Sequence, residues 1–389
     1  MNDTKKIREI MADFADRTGL TTSNHAPKRY LWTDAFAVCN FLELFLQTGE
    51  EQYKQNAFAL VDQVHTILGK HRDDDPRSGW ISGLEKEDGK LHPTTGGLRI
   101  GKKFNELQED EPHNKRLQWD QDGQYFHYLT KWMHALNRIA QVSGNLQYNR
   151  WALELAKTAH TRFTYTALTS QTKQMYWKMS IDLSRPLVSS MGQHDALDGL
   201  ITYLQLMATA VDDPEMSAEL NLGMEISEAM NMCENMNWFT DDSLGIGGLL
   251  TDAFKMAQLI VHSNLQLTNM LSTLLHSAKN GVDAFSLTDA LSYPAEYRLA
   301  FRELGLVIGL QTIEKMMLLI KQNPGSFPGQ KLLISQLADF SPHLPLIKRI
   351  EMFWLTAKNQ QSNTWTEHVD INSVMLATSL GPDGYLLLH

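Results

Sequence analysis

Three stretches of this chain set carboxylates, imidazoles and aromatic rings just ahead of apolar helical runs, where a helix mouth can present them. The densest is "WDQDGQYFHYLTKWMHAL" from Trp119, with Asp120 and Asp122 before Gly123 and Tyr125 and His127 after it. A helix start needs one capping carboxylate, worth about 1 kcal/mol. Trp119, Asp120 and Asp122 together exceed that need, so the approach to this helix is a candidate wall of a site. Tyr125, Leu129, Trp132, Leu136 and Ile139 then recur at helical spacing, a pattern of core packing that leaves His127 open between core and site.

"KRYLWTDAFAVCNFLELF" repeats the theme. Asp34 either caps its helix or faces a cleft, with Arg29 and Trp32 beside it. "SRPLVSSMGQHDALDGL" brings His194, Asp195 and Asp198 together. His194 and Asp198 share one helix face at i, i+4, where a carboxylate can orient an imidazole and raise its basicity. The alternative is an ordinary cap at Asp195. A single His–Asp pair without further His or Cys is a poor metal site, so no metal and no cofactor are expected. Arg99 and Lys102, in "HPTTGGLRIGKKFNE", are suited to an anionic substituent. The glycines of "GIGGLL" at 245, 247 and 248 have neither the spacing nor the preceding strand of a dinucleotide site, and point to helix packing or a turn.

These residues need helices to carry them, and the chain supplies helices in pairs. "TGEEQYKQNAFALVDQVHTIL" from Thr48 aligns without a gap on "SGNLQYNRWALELAKTAHTRF" from Ser143, matching Gly49 to Gly144, Tyr53 to Tyr148, Ala57 to Ala152 and Leu60 to Leu155. In each copy a helix precedes the glycine stop and another follows it, which makes a helical hairpin. A third hairpin turns at "DDPE", with proline in a first helical turn. A fourth runs from "GIGGLLTDAFKMAQLIVHSNLQL", a fifth from "EYRLAFRELGLVIGLQTIEKMMLLIKQ" to "GQKLLISQLADF", and a sixth combines "LPLIKRIEMFWLTAKNQ" with "DINSVMLATSL". The main strand candidate is Gln174 to Leu183. Long connections, His71 to Gln118 and Thr164 to Gln193, both lead into the first helix of a hairpin and are expected to collect on one rim.

The 389 residues include 43 % hydrophobic and 21 % charged positions, ample for a core, and carry a net charge of −10. That charge, with scattered basic residues, argues against nucleic acid or an anionic membrane as partner. Cys39 and Cys233 lie in apolar helical runs and are expected to be free buried thiols. No secretory leader is evident and no apolar run looks long enough to span a bilayer, so a cytoplasmic location is expected.

Six helical hairpins with polar and aromatic entrances resemble the six-hairpin glycosidase superfamily, whose members include glucosidases, unsaturated-uronyl hydrolases and N-acylglucosamine 2-epimerases. The resemblance covers nearly the whole chain at the level of architecture and matches no single family's motif. It implies an all-α (α/α)6 toroid, residues 1–389 as one domain, with inner helices opening on a carbohydrate cleft. A glycoside hydrolase then needs an acid and a base or nucleophile, drawn from Asp34, Asp122 and Asp195. A helix N-terminus favours the ionised form, suiting each to the base. Trp32, Trp119 and Tyr125 would stack on sugar faces, with Arg29, Arg99, Asp120 and His127 completing the subsite. A sugar 2-epimerase using His194 and His127 as bases is the second expectation, with His25 and His343 further back; a non-catalytic glycan- or protein-binding toroid is the third.

Overall fold

The computed structural model describes residues 3–21, 26–106, 120–167, 172–234 and 236–388. Trp119 and His25 lie outside the described residues. The chain divides into two compact units, one of residues 15–236 and the other of 1–14 with 237–389.

After α1 (Asp3–Arg17), α2 (Leu31–Thr48) of the first unit is buried without interruption from Leu31 to Leu44. Its partner α3 (Glu51–Leu68) buries only Ala57, Leu60, Val61, Val64, His65 and Leu68, a stripe at helical spacing. A helix apolar all round is enclosed on all sides, whereas a striped one has a solvent face. The unit therefore has an inner and an outer layer. Gly49, the expected stop between them, adopts φ 71° and donates its amide to Phe45 O. The second hairpin repeats this: α5 (Phe126–Ser143) is inner, α6 (Gln147–Phe163) follows, and Gly144 between them has φ 72°. Only glycine takes that conformation without strain. In the third, α7 (Asp195–Ala210) is inner. Asp213 caps α8 (Pro214–Glu219) by accepting from the Met216 amide, with Pro214 in the first turn as expected. The second arm then breaks, because Asn221 Oδ1 accepts from the Gly223 amide at 2.8 Å and restarts the chain as α9 (Gly223–Cys233). The inner helices α2, α5 and α7 pack side by side. A short α4 (Lys86–Leu91) interrupts the first long connection.

The strand expected over Gln174 to Leu183 is two short strands in different sheets. β3 (Lys173–Met175) pairs antiparallel with β2 (Thr164–Thr166), while β4 (Lys178–Met179) lies between β1 (Gln124–Tyr125) and β5 (Pro186–Val188). Tyr176 and Trp177 carry the chain from one to the other. β1 leads directly into α5, so this second sheet sits at the mouth of that helix.

The second unit alternates in the same way. Inner α10 (Ser243–Ser263) packs on striped α11 (Thr268–Ser286), and inner α12 (Ala300–Leu310) is followed by α13 (Thr312–Gln322) and α14 (Gln330–Ala338). The fifth hairpin's expected first helix is thus interrupted at Gln311, where the Thr312 hydroxyl donates to Gly309 O at 2.6 Å and competes with the helical ladder. α15 (Pro345–Leu355) and inner α17 (Val369–Leu380) form the sixth pair, joined through α16 (Asn363–Thr366). The packing role expected for the glycines of α10 is met: a Cβ on Gly247 would lie 2.1 Å from Gly305 O on α12. By length and composition α10, with mean hydropathy 1.3, is long and apolar enough to cross a membrane, which corrects the expectation that no run is; 78 % of that window is buried inside the protein. Cys39 and Cys233 are buried thiols that form no disulfide.

Candidate active site

The polar entrances of the first three hairpins separate into two kinds of centre. Asp122 is fully buried, and its carboxylate is enclosed by cations and amides. Arg99 Nη1 and Arg72 Nη1 donate to Oδ2 at 3.0 and 3.3 Å, and the Gly101 and Gly123 amides donate to Oδ1 at 2.9 and 3.1 Å. Asp34, 1 % exposed, receives Arg29 Nη1 on Oδ1 at 3.3 Å and the Tyr30 amide on Oδ2 at 2.8 Å, so it reaches back to the cap position of its own helix. Each of these two carboxylates, considered above for the role of acid or base, is held by guanidinium and backbone amide donors. Arg99 and Arg29 are the partners that neutralise them, and Trp32 is buried against Phe36 with ring centroids 4.4 Å apart. Asp120 is exposed, and its carbonyl accepts from the Phe104 amide.

Asp195 differs in kind. It is the first residue of α7, 4 % exposed, and among the described residues its buried Oδ2 has no hydrogen-bond partner. Across from it, α5 presents His127, whose buried Nδ1 stands 3.8 Å from Asp195 Oδ1 and has no hydrogen-bond partner among the described residues. One turn further along each helix, Lys131 Nζ donates to Asp198 Oδ1 at 2.7 Å. Burial, reinforced by the Asp198 charge, pushes the Asp195 carboxyl up to about 7 against opposing effects of a Gly192 backbone hydrogen bond and Lys131. Desolvation thus outweighs the helix terminus, and Asp195 is suited to the acid rather than the base expected from its position. Burial also lowers His127 to about 4, so its ring is neutral through the physiological range. His194 occupies the cap position of α7 and is half-buried.

Aromatic rings pack around His127. Tyr125 lies 5.4 Å from His127 and 5.2 Å from both Tyr128 and Trp177, and Trp177 stacks on His127 at 6.2 Å with a 15° interplanar angle. Tyr128 shares a 2.7 Å hydroxyl hydrogen bond with Tyr30. Lys178 Nζ lies 5.2 Å over the Tyr125 ring and donates to Gln121 O at 2.7 Å; burial, aided by Lys102, draws its ammonium down to about 8.

The two long connections are cross-linked beside this cage. Arg77 donates to Asp75 Oδ1 at 2.9 Å, Glu106 Oε1 at 2.7 Å and Asp182 Oδ2 at 2.7 Å, while the other Glu106 oxygen receives the Ile181 amide. Gln124 donates to Ile181 O at 2.7 Å and Gly96 O at 3.1 Å and accepts from the Leu98 amide at 2.8 Å. Sequence reasoning named Asp195, His127 and Tyr125 singly but missed Lys131, Tyr128 and Trp177. The i, i+4 spacing of His127 and Lys131 on a helix facing "HDALD" was the available signal.

No family model and no curated protein matches the chain. Solved structures do. An alpha-1,6-mannanase from Salegentibacter sp. HEL1_6 superposes with a TM-score of 0.52 at 11 % identity, over 100 % of both chains. An inactive variant of that enzyme, altered at two aspartates and solved in complex with alpha-1,6-mannotriose, gives 0.51 at 12 % identity over 98 % of this chain and 99 % of that one. The chain has the (α/α)6 toroid fold. A cellobiose 2-epimerase from Spirochaeta thermophila DSM 6192 scores 0.47 at 11 % identity over 95 % and 97 %. Within the toroid fold, the Asp195–His127 centre lies between the inner helices of the second and third hairpins.

Proposed function

We propose that this toroid is a carbohydrate-active enzyme, and specifically a glycoside hydrolase in which Asp195 is the proton donor. One observation carries the proposal: a buried carboxyl with an unpartnered oxygen keeps its proton to about pH 7 inside an aromatic cage. A glycosidase needs an acid of raised pKa and a second, ionised carboxylate. Asp195 donates to the departing glycosidic oxygen. Asp198, beside the Lys131 ammonium, supplies negative charge that opposes the developing positive charge on the sugar. Tyr125 and Trp177 offer apolar faces to a pyranose ring and exclude water. The likeness to a mannanase that binds alpha-1,6-mannooligosaccharides supports starting with these substrates.

The test is reducing-end release from a panel of oligosaccharides, alpha-1,6-mannotetraose included, by the protein and its Asp195→Asn variant. Removing a general acid costs about 10²–10⁴ in rate, and hydrolysis by Asp195→Asn at the parent rate refutes the assignment. A second reading rests on His127: a neutral imidazole with an unpartnered Nδ1, beside a protonated carboxyl, can take a proton from carbon while the acid returns one, as a 2-epimerase requires. Solvent deuterium appearing at C2 of an intact sugar, and lost in His127→Ala, selects that chemistry instead.

A further inference from the structure

Asp195 and Asp198 are two carboxyls one turn apart on one helix, 4 % and 8 % exposed. Two like charges that close in a desolvated site cannot both ionise readily, so the pair holds one proton across the middle of the pH range. Without a third charge, that proton is shared between the two groups and belongs to neither. The surroundings are not symmetric, however. The charged and titratable groups that α5 brings to this end of α7 are His127 and Lys131. His160 of α6 and Glu225 of α9 face Tyr203, two turns further along. Lys131 Nζ makes an ion pair with Asp198, at 2.7 Å, and its charge also acts on Asp195. His127 contributes no charge.

We propose that Lys131 is the positioning residue that assigns the single proton of the Asp195–Asp198 pair to Asp195. Its ammonium neutralises a carboxylate on Asp198, which leaves Asp195 as the member that retains the proton. The buried cluster then contains one cation, one anion, one neutral acid and one neutral imidazole. It is electroneutral, the state of least desolvation cost. Lys131 touches no reacting atom in this arrangement; it fixes which carboxyl is acid and which is anion. The catalytic consequence rests on the hydrolase reading, whereas the proton assignment does not.

The experiment is a carboxyl ¹³C NMR titration of the full-length protein labelled at aspartate, with Asp195→Asn and Asp198→Asn used for assignment. In the unaltered protein Asp195 is expected to titrate near pH 7 with Asp198 already ionised, and the reverse order overturns the proposal without any lysine variant. In Lys131→Met, both resonances are expected to respond in the same pH range, and the upper step moves higher by about one pH unit. Lys131→Arg is expected to restore the original order. A Lys131→Met titration identical to the parent's refutes the assignment. On a substrate that the enzyme hydrolyses, the alkaline limb of kcat/KM is expected to shift by the same amount in Lys131→Met and return in Lys131→Arg. An NMR shift without hydrolysis of any glycan upholds the proton assignment and sinks the hydrolase.

Discussion

Replacing Asp195 by asparagine should stabilise the protein, and only above acidic pH. The carboxyl's ordinary value is 3.8, and burial in the folded protein pushes it up to about 7. Below about pH 4 the folded and unfolded chains both carry the proton, and the group adds no pH dependence. Between about 4 and 7 the unfolded chain loses the proton while the folded one keeps it, so stability falls by about 1.4 kcal/mol per pH unit. Above about 7 the deficit is complete, at about 4 kcal/mol for the roughly three-unit displacement. Asparagine has the same outline and no proton to lose. Urea unfolding of the parent and Asp195→Asn, followed by tryptophan fluorescence from pH 4 to 8, should therefore give curves that coincide at the acid end. They should separate progressively and run parallel above about pH 7, with the variant more stable. A variant of equal or lower stability at pH 8, or one with the same advantage at pH 4 and pH 8, refutes the buried-acid account. Stability gained at the cost of activity is the mark of a functional group held in a destabilising place.

Asp122 should behave in the opposite sense: Asp122→Ala strands Arg99 and two amides, and is expected to cost about 3–5 kcal/mol in urea unfolding, the usual loss on breaking a buried ion pair. Gly144→Ala, at φ 72°, should lower stability by about 1 kcal/mol in the same assay and leave the rate per folded molecule unchanged. Gly247→Ala puts a methyl against Gly305 O and should cost about 1–3 kcal/mol, read as a fall in the thermal midpoint.

The hairpins were legible because their signals are local. A residue that must adopt positive φ is nearly always glycine, so Gly49 and Gly144 announce their turns, and Asp213–Pro214 announces another. The break at Gln311 was not legible, since it turns on a hydroxyl bonding back within one turn, and most Thr residues in helices do so without ending them. The carboxylates were harder still. Asp122 and Asp195 look alike in sequence, each a polar residue ahead of an apolar helix. Their difference lies in distant partners: Arg72 and Arg99 are 50 and 23 residues from Asp122, and Lys131 is 67 residues from Asp198. A local pattern can mark a helix mouth as polar, but it cannot say which carboxylate is neutralised by cations from another segment and which keeps an oxygen that accepts no hydrogen bond.

Arg77 gathers three carboxylates from both long connections, which are separated by a whole hairpin in the sequence. Such a junction abolishes independent motion of either segment: backbone amides in 75–106 and 178–188 should exchange with solvent as one cooperative unit rather than two. A ligand reaching the cage beside them then meets a wall already set, and its affinity is spared the cost of ordering a lid.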